Sequence, residues 1–303
     1  MKAVKKFAAL VLAAVMMAVL LAGCGAEREA QETSSQVKDK KAILVVSFGT
    51  SYPEARKACI ESVENKIKNT FKDYEIRRAF TSEFIIKKLA QRDGLSIDNP
   101  EQALTKLKEE GYKQVVVQPL HIIPGAEYDE VKIIVDKFAA EKAFEQIVLG
   151  RPLLGSESNP NDYAIALEAL KEQIPELAEN QAVLLMGHGT HHEANACYDK
   201  FQQEINKANL NIFVGTVEAE PTLEDIKEQL AAKDIKSVIL MPFMLVAGDH
   251  AQNDLAGDEK ESWKMQLKDE YTVETYLHGL GENPAIQDIY VQHVKDAIAQ
   301  LDN

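Results

Sequence analysis

The sequence predicts an α/β protein of two similar, Rossmann-like lobes, each built on a parallel sheet, with a cleft between them. Three observations carry that expectation. Apolar runs of strand length, as expected of strands covered on both faces, alternate with stretches of helical length. The second half of the chain repeats the first in residue type and order, so the two lobes share one design. Several apolar runs also end in turns bearing glycine, histidine or threonine, and in an open parallel sheet ligands bind outside the carboxyl ends of the strands.

The folded part opens at Lys41, where Ala42 to Val46 form a buried strand ending in Ser47-Phe48-Gly49-Thr50. A helix is expected from Pro53, a residue suited to a first turn, to about Phe71. Tyr74 to Phe80 reads as a strand and Ser82 to Arg92 as a helix. Asn99-Pro100 opens a helix that stops before Gly111, and Gln114 to Leu120 is a strand leading into His121-Ile-Ile-Pro-Gly125. A helix over Glu127 to Glu141 and a strand over Gln146 to Leu149 complete the first half. In the second half Ala182 to Met186 is a buried strand, followed by Gly-His-Gly-Thr190 and then by His191-His192-Glu193 at a helix start. Ile212 to Val217 and Ser237 to Pro242 are further strands, and the lobes are placed at 41–150 and 151–303.

The repeat is most informative where it breaks. Ala42 to Thr50 aligns with Ala182 to Thr190, and Lys113 to Gly125 with Lys236 to Gly248. Phe48 then stands opposite His188, Glu127 opposite His250, and Phe80-Thr81 opposite Val217-Glu218. Three ligand-type side chains, His188, Glu218 and His250, therefore follow three strands of the second half alone. A tight strand-to-helix turn would explain Gly187 and Gly189, but not that coincidence. Two imidazoles and a carboxylate from separate loops make a facial set with open positions, suited to borderline divalent cations such as cobalt, iron, nickel or zinc. Open positions belong to an ion that is used or passed on. Asp249 is expected to cap the helix that follows it, and His191 and His192 to lie exposed in a first helical turn.

Composition narrows the classes. The 303 residues hold one large domain or two ordinary ones, and 46% hydrophobic with 27% charged content is that of a soluble globular protein. A net charge of −14 argues against nucleic acid as a partner, since phosphate binding needs a basic face. The first 23 residues read as an export signal, with Lys2, Lys5 and Lys6 ahead of an uncharged apolar stretch from Phe7 to Leu20. Leu21-Ala22-Gly23-Cys24 resembles the lipobox of bacterial lipoproteins, which implies cleavage before Cys24 and lipidation of that cysteine. Residues 24–40 read as a polar tether, and the expected location is the periplasmic or extracellular face of a membrane, held through the lipid anchor only. Cys59 and Cys197, each in an alanine-rich helical context, are expected to be buried and unpaired.

Taken together, Ser-Phe-Gly-Thr50, Pro-Leu-His-Ile-Ile-Pro-Gly125, Gly-His-Gly-Thr190, Thr-Val-Glu218 and Gly-Asp-His250 resemble the anaerobic cobalt chelatases of the CbiK type, over nearly all of the chain after Lys40. The resemblance implies a two-lobed, ferrochelatase-like architecture. It also implies insertion of Co²⁺ into the tetrapyrrole sirohydrochlorin during corrinoid synthesis. Carried over by motif, His188 is metal ligand and general base, and Glu218 and His250 are the other two ligands. A neutral histidine can accept protons near pH 7 as the ring exchanges two N–H protons for one divalent ion. Fe²⁺ or Ni²⁺ are alternative ions, with Fe²⁺ insertion giving sirohaem. A carrier lipoprotein that binds metal or tetrapyrrole without turnover is the competing reading. Self-association is left open.

Residues that would hold the substrate's carboxylates are not assigned. Arg77, Arg78, Arg56 and Lys57 are candidates whose plainer role is a solvated surface. His121 reads as a hydrogen-bonded loop residue ahead of a metal or tetrapyrrole contact, and Phe48 as core ahead of an apolar wall for the macrocycle.

Overall fold

The computed structural model describes residues 40–301, so the expected signal, the lipidated Cys24 and all but the last residue of the tether lie outside the described residues. Eight strands form two four-stranded sheets of identical topology, β2-β1-β3-β4 and β6-β5-β7-β8. The first holds β1 (Lys41–Ser47), β2 (Glu75–Phe80), β3 (Gln114–Pro119) and β4 (Gln146–Leu149). The second holds β5 (Gln181–Gly187), β6 (Ile212–Thr216), β7 (Ser237–Pro242) and β8 (Thr272–Thr275). Every pairing is parallel, with Val45 opposite Arg78 and Gln118 in the first sheet and Leu185 opposite Val214 and Met241 in the second. Parallel strands need crossovers, and helices supply them on both faces.

Between β1 and β2 runs α1 over 53–70, which starts at Pro53, takes π pitch at Arg56–Glu61 and returns to α at Ser62–Thr70. Next come α2 (Glu83–Asp93), α3 (Pro100–Glu109) and α4 (Ala126–Ala140). The second half carries α5 (Asp162–Lys171), α6 (Ala196–Lys207), α7 (Leu223–Ala231), α8 (Trp263–Leu267) and α9 (Pro284–Leu301). Local chemistry sets their starts. Ser82 accepts from the Ile85 amide, while Asn99 with Gln102 and Thr222 with Asp225 form capping boxes that satisfy otherwise orphaned N–H groups.

Because strand side chains alternate between faces, each central strand feeds two cores. Ala42, Leu44 and Val46 face a cluster closed by α3 and α4, and Ala182, Leu184 and Met186 face its counterpart in the second lobe. The opposite faces, Ile43 and Val45 of β1 with Val183 and Leu185 of β5, belong to one continuous core shared by both lobes. Helix α9 lies in that shared layer, against α1, β3 and β4 of the first lobe and α5 of the second. Its Tyr290 is fully buried and donates to the carbonyls of Leu120 (3.1 Å) and His121 (3.4 Å). The crossing between lobes is tied polarly as well. Arg151 donates to Asp162 and Asp296, both at 2.7 Å, and His293 donates from Nδ1 to the Arg151 carbonyl at 3.1 Å. Burial would raise the Asp162 carboxyl, but His293 and Arg151 outweigh it and hold it low. Cys59 and Cys197 are both free and buried, as expected. Among the described residues no helix is long and apolar enough to cross a membrane.

Candidate metal centre

His188, Glu218 and His250 come together at the carboxyl ends of β5, β6 and β7, with one ligand atom from each lying within 4.8 Å of the others. Strand β5 ends at Gly187, and the chain then turns sharply. Gly189 has φ of +84°, and a Cβ there would stand 2.8 Å from the Thr216 side chain and 2.9 Å from the Ala219 amide nitrogen. Only glycine fits a backbone so placed. The His188 carbonyl in turn accepts from the Val217 (3.1 Å) and Glu218 (2.9 Å) amides, which fastens the Glu218 loop to the His188 turn. His250 reaches the site from the far end of β7, in the first turn of a short helix with π pitch at Ala251–Leu255.

The tautomers of both histidines are fixed by their neighbours. His188 Nδ1 faces the Gly189 carbonyl at 2.9 Å and must donate to it, so its Nε2 lone pair is free. His250 Nδ1 lies 2.7 Å from the Asp254 carboxylate, one helical turn on, and donates there with the same result. The two rings meet edge to face, 4.7 Å apart at 89°. Side-chain exposures of 47% for His188, 54% for Glu218 and 34% for His250 leave the set open on one side. Two neutral imidazole nitrogens, a carboxylate and an open face can hold a divalent cation and present it to a second ligand.

Around this set the first lobe contributes residues that the sequence pattern did not single out as ligands. Half-buried Glu127, in the first turn of α4, feels the charges of His188 and Glu218; burial raises its carboxyl, with His188 opposing and Glu130 and Glu218 reinforcing. Tyr52 donates its hydroxyl to Asp249 at 2.9 Å, joining the loop after β1 to the residue before His250. The i,i+4 spacing of His250 and Asp254 was a readable signal for the latter; nothing local in the sequence pairs Tyr52 with Asp249.

Several expectations need correction. Asp249 does not cap the His250 turn: the Gly248 carbonyl accepts from the Gln252 amide, so Gly248 stands at the cap and Asp249 is drawn instead to Tyr52. His192 is not simply exposed. Its Nδ1 accepts from the Ala194 amide at 3.1 Å, which leaves Nε2–H directed across the cleft at Asp129, 3.2 Å away on α4. His121 is not hydrogen-bonded; both ring nitrogens are buried without a partner, the nearest charge being Glu127 at 3.6 Å, and burial pushes it down to about 4. Phe48 is not core, being 48% exposed. Arg77 is spent on Glu75 and Glu110, and Arg78 on Glu64 and Glu61, from the middle of an edge strand rather than its carboxyl end. Arg56 is buried beside Glu61, whereas Lys57 and His191 are solvent-exposed as expected.

Comparison with known proteins agrees with this geometry. A sirohydrochlorin cobaltochelatase of Salmonella typhimurium is 43% identical over 260 residues, 86% of this chain and 97% of the relative. Sirohydrochlorin cobaltochelatase CbiKC of Nitratidesulfovibrio vulgaris is 32% identical over 266 residues, 87% of this chain and 93% of the relative. SirB from Bacillus subtilis with Fe³⁺ shares the fold, with a TM-score of 0.61 at 16% identity over 87% of this chain and 97% of that one. Residues 41–299 match the family profile described as cobalt chelatase (CbiK), and the chain belongs to that family.

Proposed function

We propose that this protein inserts Co²⁺ into sirohydrochlorin, with His188, Glu218 and His250 holding the incoming ion and His188 acting as base. The observation that carries the assignment is that one ligand atom from each of His188, Glu218 and His250 lies within 4.8 Å of the others, in a set whose two histidines keep Nε2 free. The substrate identity comes from the relatives named for that reaction. Three protein ligands leave coordination positions into which ring nitrogens can move. As the ion passes to the macrocycle, two pyrrole N–H protons must go elsewhere. The Nε2 of His188 regains its lone pair at that moment and can take one of them, the other leaving to solvent. Ligand and base roles therefore follow one another in time. The same donors accept Fe²⁺ or Ni²⁺, and the preference for cobalt is part of the proposal.

The experiment mixes purified protein with sirohydrochlorin and Co²⁺ and follows the change in tetrapyrrole absorbance, beside His188→Ala. Loss of insertion by on the order of 10²-fold or more in the variant is expected. An unchanged rate would remove His188 from the mechanism. The lipobox-like Leu21 to Cys24 motivates the second reading, an exported and lipid-anchored carrier of metal or tetrapyrrole. Stoichiometric binding without turnover would favour it, and labelling of Cys24 by a fatty acid precursor in cells tests the anchor.

A further inference from the structure

Six large apolar side chains are exposed among the described residues, and three of them, Phe48 (48%), Tyr52 (38%) and Phe84 (70%), lie on the loop after β1 and on the helix tied to it. That link is built, not accidental. The Phe48 carbonyl accepts from the Ser82 amide at 3.3 Å, and Ser82 caps α2, whose second residue is Phe84. Arg92, at the last turn of α2, donates back to the Ser51 carbonyl at 2.5 Å and so ties the helix to the loop that carries Phe48. That loop faces the metal-binding turn, because Tyr52 bonds Asp249 next to His250 and Thr50 lies beside Gly248. Phe48 also occupies the place in the first lobe that His188 holds in the second. One turn beyond Phe84, the Lys88 ammonium sits 5.7 Å from the Phe84 ring centre and is paired with no carboxylate among the described residues. In a chain of net charge −14, this puts an unpaired cation beside an exposed ring.

We propose that Phe48 and Phe84 seat one face of the tetrapyrrole macrocycle and that Lys88 meets a carboxylate at its edge. The proposal rests on the chelatase reading and supplies the substrate contacts that the arginines on β2 cannot. A flat conjugated ring gains from lying against aromatic side chains, and a polycarboxylate rim gains from a cation at the edge of that platform. The platform belongs to the first lobe and the ion to the second, so a ring seated on the platform lies on the side of the molecule where the metal ligands gather.

The test compares Phe48→Ala, Phe84→Ala, the double variant, Lys88→Glu and Lys88→Arg with the native chain. KM for sirohydrochlorin and its equilibrium affinity by spectral titration are measured, together with Co²⁺ affinity in the absence of tetrapyrrole. We expect the double variant to raise KM and weaken tetrapyrrole binding on the order of ten-fold. Lys88→Glu should weaken it and Lys88→Arg restore it, with Co²⁺ affinity unchanged throughout. Both phenylalanines are exposed, so truncation leaves the core intact. Unchanged tetrapyrrole affinity in the double variant overturns the proposal. So does loss of self-association with that affinity intact, which would make these rings a contact between copies. If the native chain bound sirohydrochlorin without inserting metal, the chelatase reading alone would fail and the titration would still decide the platform.

Discussion

At the residue scale, the centre depends on which nitrogen of each histidine is occupied. The Gly189 carbonyl and the Asp254 carboxylate each hold an Nδ1 proton and so expose Nε2. An anionic partner also makes the His250 ring a better donor to a cation. Asp254→Asn keeps the size and loses the charge; Co²⁺ affinity is expected to fall between about 10- and 100-fold, read by competition with a chromophoric chelator. Equal affinity in both proteins would leave Asp254 a merely structural contact. His121 makes a different prediction. Its pKa falls from 6.5 to about 4 because burial disfavours the cation, so the unfolded chain takes up a proton before the folded one does. Stability should be unaffected by this group above pH 6.5 and decline as pH falls from there to about 4. The span is on the order of 3 kcal/mol at 1.36 kcal/mol per pKa unit. His121→Leu, which deletes no hydrogen bond, should flatten that part of the urea-midpoint profile. A native-like slope in the variant would assign the acid sensitivity elsewhere.

At the element scale, the turn after β5 is the decisive piece. It places His188, and through its carbonyl it also places Glu218. Gly189→Ala forces a side chain into a positive-φ position and against Thr216 and the Ala219 backbone. The expected strain is about 1–3 kcal/mol, and displacement of His188 and Glu218 together should lower the insertion rate on the order of 10²-fold. Circular dichroism would verify that the fold survives. Native kinetics in Gly189→Ala would show that the turn does not position the ligands. The alternation of the two central strands acts at the same scale, since one face of each supplies its own lobe's core and the other the shared one.

At the scale of the whole molecule, the two lobes are not separable bodies. Their inner faces form one core, and α9, the last helix of the second half, packs on β3 and β4 of the first. Ending the chain before Pro284 would therefore strip the first lobe of cover although its own segment is intact. Calorimetry is expected to show loss of the native transition for both lobes, and a surviving transition of the second lobe's size would indicate independent folding. The cleft is bridged by Tyr52 with Asp249 and by His192 with Asp129, contacts between residues far apart in the chain.

Much of this was legible in the sequence for a local reason. Strand length and apolarity are read residue by residue, so the two sheets and the repeat were visible in Ala42 to Val46 and Ala182 to Met186. The breaks in the repeat marked His188, Glu218 and His250 because each follows a strand whose carboxyl end points to the cleft. What the sequence by itself determined was thus the kind of sheet, its duplication and the residues gathered at one edge. Only tertiary structure decided which charges are already taken, as with Arg77 and Arg78, whose partners Glu110 and Glu64 lie in other elements. It also decided that Phe48 faces out, that His121 is sealed in without a hydrogen bond, that Asp249 answers Tyr52, and that the final helix joins the lobes. Burial and pairing depend on which distant segments meet, and no local pattern of residue types encodes that meeting.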